Sequence, residues 1–314
     1  MTRHGARSGF VGATGARLSY AALKAMPPGG ATTWNRTNHR GEPVTLLEGP
    51  AVAAGAIAGA LAHAGLVSMA GSPGWRAGTA MAVAGAGGAA FGAYDDLAGS
   101  ADRRGFRGHL GALRHGELTT GAVKLGGIGI TGILSAALAG GAPADMVINA
   151  GLVAGGANLL NLFDLRPGRA IKVAAASGAL VAAGGALSPG SAVPVAAGLA
   201  SLPPLAAGLA LLPEDLGERA MLGDCGANAL GAMLGAAAAA GLPRTARIAL
   251  LGGIAGLTAA SEKVSFTKVI ARTPALNWLD MLGRRLAPQP LETEPPAPRQ
   301  PPVTTLAQRP EPAG

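Results

Sequence analysis

The chain has 314 residues, 49% of them hydrophobic and only 13% charged, with 51 glycines and 3% aromatics. A soluble domain carries about 25% charged residues and builds its core with more aromatics, so this composition argues against a soluble globular enzyme. It suits a membrane bundle, in which Gly and Ala let helix backbones approach closely. The net charge of +8 does not point to nucleic acid, because Lys and Arg sit mainly in the connections between apolar stretches.

The first 23 residues are basic and lack a compact apolar core before a cleavage site, so no cleavable signal peptide is expected. Residues 9–23 are weakly apolar, contain Arg17, and read as the remnant of a span or an interfacial segment. Stretches long enough to cross a bilayer, about 20 apolar residues each, follow near 49–71, 77–93, 125–144, 146–163, 170–187, 192–212, 226–242 and 246–260. The second and eighth are short, and the sixth carries Pro194, Pro203 and Pro204. The expected fold is therefore all-α, a polytopic transmembrane helix bundle of about 8–9 spans. Residues 1–47 would form an N-terminal cytoplasmic or interfacial segment and 48–286 the transmembrane catalytic domain. The remainder, 287–314, is rich in Pro and has no apolar period, as in a disordered tail. The single cysteine, Cys225, excludes an intrachain disulfide framework.

Alternating the connections divides them into two sets. One set holds Arg36, Arg40, Arg103, Arg104, Arg107, Arg114, Lys124, Arg166, Arg169, Arg219, Lys263, Lys268 and Arg272. The other holds Arg76 and Arg244, with Arg247 just inside the next span. The positive-inside rule makes the first set cytoplasmic. Asp95, Asp96, Asp164, Asp215, Asp224 and Glu262 all fall on that same side.

Four short motifs could carry chemistry there. Tyr94-Asp95-Asp96 ends the second stretch, and two adjacent carboxylates at a membrane boundary suit a divalent cation; the plainer reading is a pair facing water. Asn158, Asn161 and Asp164 share one helical stripe and read as a polar pocket wall. Arg166 and Arg169 follow, with the fork geometry that holds phosphates, although a positive-inside flank would look the same. Gly223-Asp224-Cys225-Gly226 begins the seventh stretch, where a helix N-terminus can receive phosphate or Asp can simply cap the helix. A Gly-hinged basic loop with His109 and His115 leads to Lys124, and its histidines lack zinc spacing.

Taken together, from about residue 35 to 285, these motifs resemble the polyprenyl-phosphate N-acetylhexosamine-1-phosphate transferase superfamily. That superfamily includes the phospho-N-acetylmuramoyl-pentapeptide and undecaprenyl-phosphate N-acetylglucosamine-1-phosphate transferases. The resemblance rests on Asp95-Asp96, the loop ending at Lys124, Asn158…Asn161…Asp164, and Gly223-Asp224-Cys225-Gly226. It implies transfer of a sugar 1-phosphate from a UDP-sugar to a polyprenyl phosphate, with release of UMP, in cell-wall or surface-glycan synthesis. It also implies a multi-pass plasma-membrane protein with a cytoplasmic site and Mg²⁺ as cofactor, Mn²⁺ being the alternative. Asp224 would be the principal metal ligand. Asp95 and Asp96 would bind or orient the metal and the lipid phosphate. Asp164 is the third catalytic candidate, shaping the nucleotide-sugar pocket with Asn158 and Asn161, and Lys124, Arg166 and Arg169 would engage phosphates. The partners are then the polyprenyl phosphate, the UDP-sugar and the membrane, not nucleic acid, with a homodimer left open.

The chain departs from the family in several places. Leu97-Ala98-Gly99 follows the paired Asp where a Lys is frequent, Cys225 stands where Thr is frequent, and the late histidine-rich loop is replaced by Ser261-Glu262-Lys263-Val264-Ser265-Phe266. Two other readings stand beside the enzyme: a catalytically silent scaffold for wall synthesis, and a small-solute transporter. Transporters place polar groups at mid-membrane and show internal repeats, neither of which is evident here.

Overall fold

The computed structural model describes residues 2–72, 74–98, 119–186 and 199–285. The loop with His109 and His115, Pro194 and the Pro-rich tail lie outside the described residues. By contacts the chain forms a compact unit, Met1–Arg284, and a second unit, Arg285–Gly314. Among the described residues the compact unit is helical apart from one small hairpin. Its helices are α1 (Thr2–Ala25), α2 (Ala31–Trp34), α3 (Glu48–Met69), α4 (Trp75–Ala98), α5 (Thr120–Ala139) and α6 (Pro143–Phe163), then α7 (Arg169–Ala186), α8 (Leu202–Leu216), α9 (Gly223–Gly241), α10 (Arg244–Ser261), α11 (Phe266–Arg272) and α12 (Pro274–Met281). Strands β1 (Asn35–Thr37) and β2 (Pro43–Thr45) pair antiparallel, with Arg36 opposite Val44. Among the described residues three helices, α3, α5 and α6, are long and apolar enough to cross a membrane.

Local chemistry sets several helix ends. Thr119 caps α5, its side-chain oxygen accepting from the Ala122 N–H at 3.1 Å, so the helix starts before the predicted residue 125. Gly140, at φ 79°, ends it, and Pro143 opens α6 at a position where its missing N–H costs nothing.

Helix α9 is the axis of the bundle and packs on α3, α4, α5, α6, α7 and α8. Nearly all of its residues are buried, because Gly and Ala lie on every face. A Cβ added at Gly88 of α4 would stand 2.7 Å from the Asn228 carbonyl oxygen, and one at Gly92 would strike the Asp224 carbonyl. Small residues therefore bring α4 and α9 nearly backbone to backbone. Polar side chains add cross-links: Ser135 donates to the Ala80 carbonyl at 2.9 Å, and Ser201 to the Gly178 carbonyl at 3.3 Å.

The N-terminal segment differs from the short remnant expected over 9–23. Helix α1 runs for 24 residues and packs along α3 and α8. Its contact face is made mostly of small residues, Gly5, Ser8, Gly9, Gly12 and Ala16, with Tyr20 as its large member. A Cβ on Gly12 would lie 2.7 Å from the Pro203 carbonyl oxygen, and one on Gly15 would lie 3.1 Å from the Gly55 Cα. Low hydrophobicity hid this helix from a reading based on apolar length, whereas close packing needs only small side chains.

From α3 to α10 successive helices reverse direction, so their polar termini collect at two ends of the compact unit. On α4, Arg76 marks one end and Asp95 the other, about 28 Å apart at the helical rise. The Asp95 end also holds Lys124, Asp164, Asp215 and Asp224; the Arg76 end holds Asp145, Arg244 and Arg247.

Candidate functional site

The last turn of α4, the first turns of α5 and α9, and the end of α6 converge. Lys124, in the first turns of α5, places its Nζ 2.7 Å from Asp95 Oδ2 and also binds Asp224 Oδ2. One ammonium thus bridges two carboxylates that are 129 residues apart in the chain. Asp96 does something different. Its Oδ1 accepts from the Asp224 N–H at 3.0 Å and its Oδ2 from the Cys225 N–H at 2.9 Å. It satisfies donors that the start of α9 leaves unpaired, and so positions Asp224. Gly223, at φ 61°, lets the chain turn into α9 over Asp96; a Cβ there would meet Leu46 Cδ2 at 2.8 Å. Arg36 of β1 donates to the Asp96 carbonyl, fixing the end of α4 from the hairpin side.

The Asn158–Asn161–Asp164 stripe is divided between two cavities. Asn158 donates to Thr258 Oγ1 of α10 at 3.2 Å and lines a groove of about 570 Å³. That groove opens beside Lys124 and is walled by Leu125, Leu162, Leu251 and Ile254. Asp164, the C-cap of α6, lines a separate cavity of about 200 Å³ with His39, Arg166 and Asp215. Asn161 contributes its backbone carbonyl, which accepts from the Asp164 N–H at 3.1 Å. Burial raises the Asp164 carboxyl well above its ordinary value, and the charges of Asp215, Asp224 and Asp96 raise it further. In the same cavity burial, then the Arg166 charge, lowers the His39 imidazole.

The two arginines predicted for phosphates part company. Arg166 stands at the cavity with Asp164. Arg169 is buried, with Nε 2.8 Å and Nη2 2.9 Å from the two oxygens of Asp280, and Nη1 3.0 Å from Thr267 Oγ1. Arg284 also donates to Asp280 at 2.6 Å, and Lys172 to its carbonyl at 2.8 Å. Burial pushes the Asp280 carboxyl up, but the Arg169 hydrogen bonds and the surrounding cations outweigh it and hold the group below its ordinary value. Arg169 therefore staples α7 to α12, its guanidinium engaged by Asp280 and Thr267.

Three residues here escaped the sequence reading as site residues. Arg36 reaches Asp96 across 60 residues with no telling spacing. Asp215, buried beside Asp164, accepts from the Gly168 N–H at 3.0 Å. Glu48, fully buried at the start of α3, has neither carboxyl oxygen hydrogen-bonded among the described residues.

Among the described residues no group of three or more His, Cys, Asp or Glu side chains is arranged to hold a metal ion. Magnesium, however, is often held by one or two carboxylates plus waters and substrate phosphates. Asp95 and Asp224, already gathered around one cation, fit that donor set; Asp96 has each oxygen engaged by a backbone N–H group of α9. Neither the protein-family models nor the curated proteins contain a match to this chain.

Proposed function

We propose that this chain is a polytopic membrane transferase of about 8–9 spans that moves a sugar 1-phosphate, an N-acetylhexosamine phosphate by resemblance, from a UDP-sugar to a polyprenyl phosphate. The observation that carries the reading is the Asp95–Lys124–Asp224 cluster, which lies at the mouth of an apolar groove. A lipid phosphate needs this combination: apolar walls for its chain and a cation beside its anionic head. The separation of the two polar ends, about 28 Å along α4, is close to the hydrocarbon thickness of a bilayer, about 30 Å. The richer set of cations in the connections at the acidic end supports a cytoplasmic face for that end, where a soluble UDP-sugar would be met.

In the reaction an oxygen of the lipid phosphate bonds to the sugar-linked phosphorus of the UDP-sugar. The bond from that phosphorus to the bridging oxygen breaks, and UMP leaves with the electron pair. Lys124 offsets the repulsion between the two anionic phosphates as they approach. Asp95 and Asp224 would hold Mg²⁺, which when bound supplies charge neutralisation for both phosphates. Asp96 and Arg36 hold the ends of α9 and α4 in register. The cavity with Asp164, Arg166, His39 and Asp215 is the place offered to the nucleotide-sugar.

The scaffold reading draws on one observation: the Lys124 ammonium already compensates Asp95 and Asp224, as it would in a purely structural cluster. UMP release by purified protein in detergent separates the two. With undecaprenyl phosphate, Mg²⁺ and a panel of UDP-sugars, release that requires lipid and metal is expected. It should fall by about 10²–10³-fold in Asp224→Ala, the scale of losing one charge-stabilising group. Folded wild-type protein that releases no UMP from any donor would leave the scaffold.

A further inference from the structure

The end of the compact unit opposite the acidic cluster carries a cavity of about 330 Å³ that the transferase reading does not use. It is lined by Arg76 at the start of α4, Gly140 and Gly141 after α5, Asp145 and Asn149 in the first turns of α6, and Arg247 in α10. Arg247 donates to Asn149 Oδ1 at 2.6 Å and to Asp145 Oδ1 at 3.0 Å, while its Nε is buried with no hydrogen-bond partner. Arg244 lies 3.5 Å from the same Asp145 oxygen. Arg76 has no ion pair among the described residues; its guanidinium stands 5.7 Å from the Trp75 ring centroid. Two cations, Arg244 and Arg247, thus meet one carboxylate, Arg76 adds a third positive charge nearby, and the surplus faces a cavity where the missing side chain of Gly140 leaves room beside Arg76.

We infer that this cavity binds a phosphate group, in the chemical class of phosphate mono- and diesters, with Arg76 and Arg247 as its cationic walls. The argument is one of charge and geometry. Guanidinium groups are the preferred partners of phosphate because their planar donors engage two oxygens at once. Asp145 and Asn149 hold the Arg247 fork in place, and Arg76, without a carboxylate of its own, is left to the ligand. The inference does not rest on the transferase reading: it uses other residues, about 28 Å away. Two sources supply such a group, a phospholipid headgroup and free phosphate.

The test is ligand retention by purified full-length protein. Wild type and Arg76→Gln are exchanged into vesicles of phosphatidylglycerol or phosphatidylcholine and bound lipid is read by native mass spectrometry. Inorganic phosphate binding is measured in parallel by equilibrium dialysis. Arg76 is exposed, so its replacement should leave the melting temperature unchanged; a second variant, Arg244→Gln, guards against an effect peculiar to the first. Preferential retention of phosphatidylglycerol that weakens about tenfold in Arg76→Gln, the scale of one charge-assisted hydrogen bond, supports a lipid phosphate. Arg76-dependent binding of inorganic phosphate alone supports the same site for free phosphate. Equal, Arg76-dependent retention of the two lipids supports the phosphate diester they share; retention of neither lipid with no phosphate binding, or binding indifferent to Arg76→Gln, would overturn it.

Discussion

Two clusters of opposite charge sit near the same end of this protein and are put together differently. Around Asp280 the cations outnumber the carboxylate: Arg169 and Arg284 bind its oxygens and Lys172 its carbonyl. Each of the three cations there has a protein acceptor, and the cluster closes α12 onto α7. Around Lys124 the balance is reversed, with Asp95 and Asp224 sharing one ammonium and Asp96 spent on the backbone of α9. The first arrangement is complete as a structural staple. The second keeps an excess of negative charge beside an open groove and so retains a capacity for an added cation and a phosphate. The sign of the surplus, rather than the number of ion pairs, distinguishes a staple from a binding site.

Breaking the staple has the largest expected effect on stability. Asp280→Ala leaves Arg169 buried without its partner and should cost about 3–5 kcal/mol, read as a lower unfolding temperature in detergent. UMP release per folded molecule should stay near wild type, and a selective loss of rate in folded Asp280→Ala would contradict the division. Lys124→Ala is the complementary change. It should lower UMP release by about 10²–10³-fold with a smaller effect on unfolding. A Gly92→Val substitution sharpens the contrast from the packing side. It forces α4 away from α9 at Asp224 and should cost about 1–3 kcal/mol through overpacking, disturbing the Lys124 cluster while sparing the staple.

The smallest effect is a pH dependence. The Asp280 carboxyl is held below its ordinary value in the folded protein. Its stabilisation is therefore fully present above the unfolded pKa, about 3.9, and is lost as pH falls through the lower folded value. Melting curves between pH 7 and 3 should show an acid-side loss in wild type that Asp280→Asn largely removes. A variant that loses stability with acid as steeply as wild type would assign that loss to other carboxylates.

Much of this was open to a reader of the chain alone. Residues 49–71 and 146–163 announce helices by apolar length, and α3 and α6 occupy nearly those ranges. The acids could be grouped on one side because alternation along a helical chain is a local, countable property. Helix α1 was underestimated because its packing face is made mostly of small residues, which carry little hydropathy signal. Within the candidate site, Asp95, Asp96, Lys124, Asp164 and Asp224 were selected from short motifs, yet their separate tasks were not legible. Nothing in Asp95-Asp96 says that the second carboxylate will accept from a helix N–H 128 residues later.

The sequence by itself determined the helical character of the protein, the scarcity of charge within its long apolar stretches, and the residue types available for chemistry, since each follows from composition and local periodicity. Only the tertiary structure decided which charge meets which. It set Lys124 between Asp95 and Asp224, turned Asp96 to the α9 backbone and gave Arg169 to Asp280. Among the described residues it also left Arg76 at the opposite end without a carboxylate. Ion partners are chosen where helices distant in the chain come into contact, and that contact depends on how closely Gly and Ala surfaces allow backbones to approach.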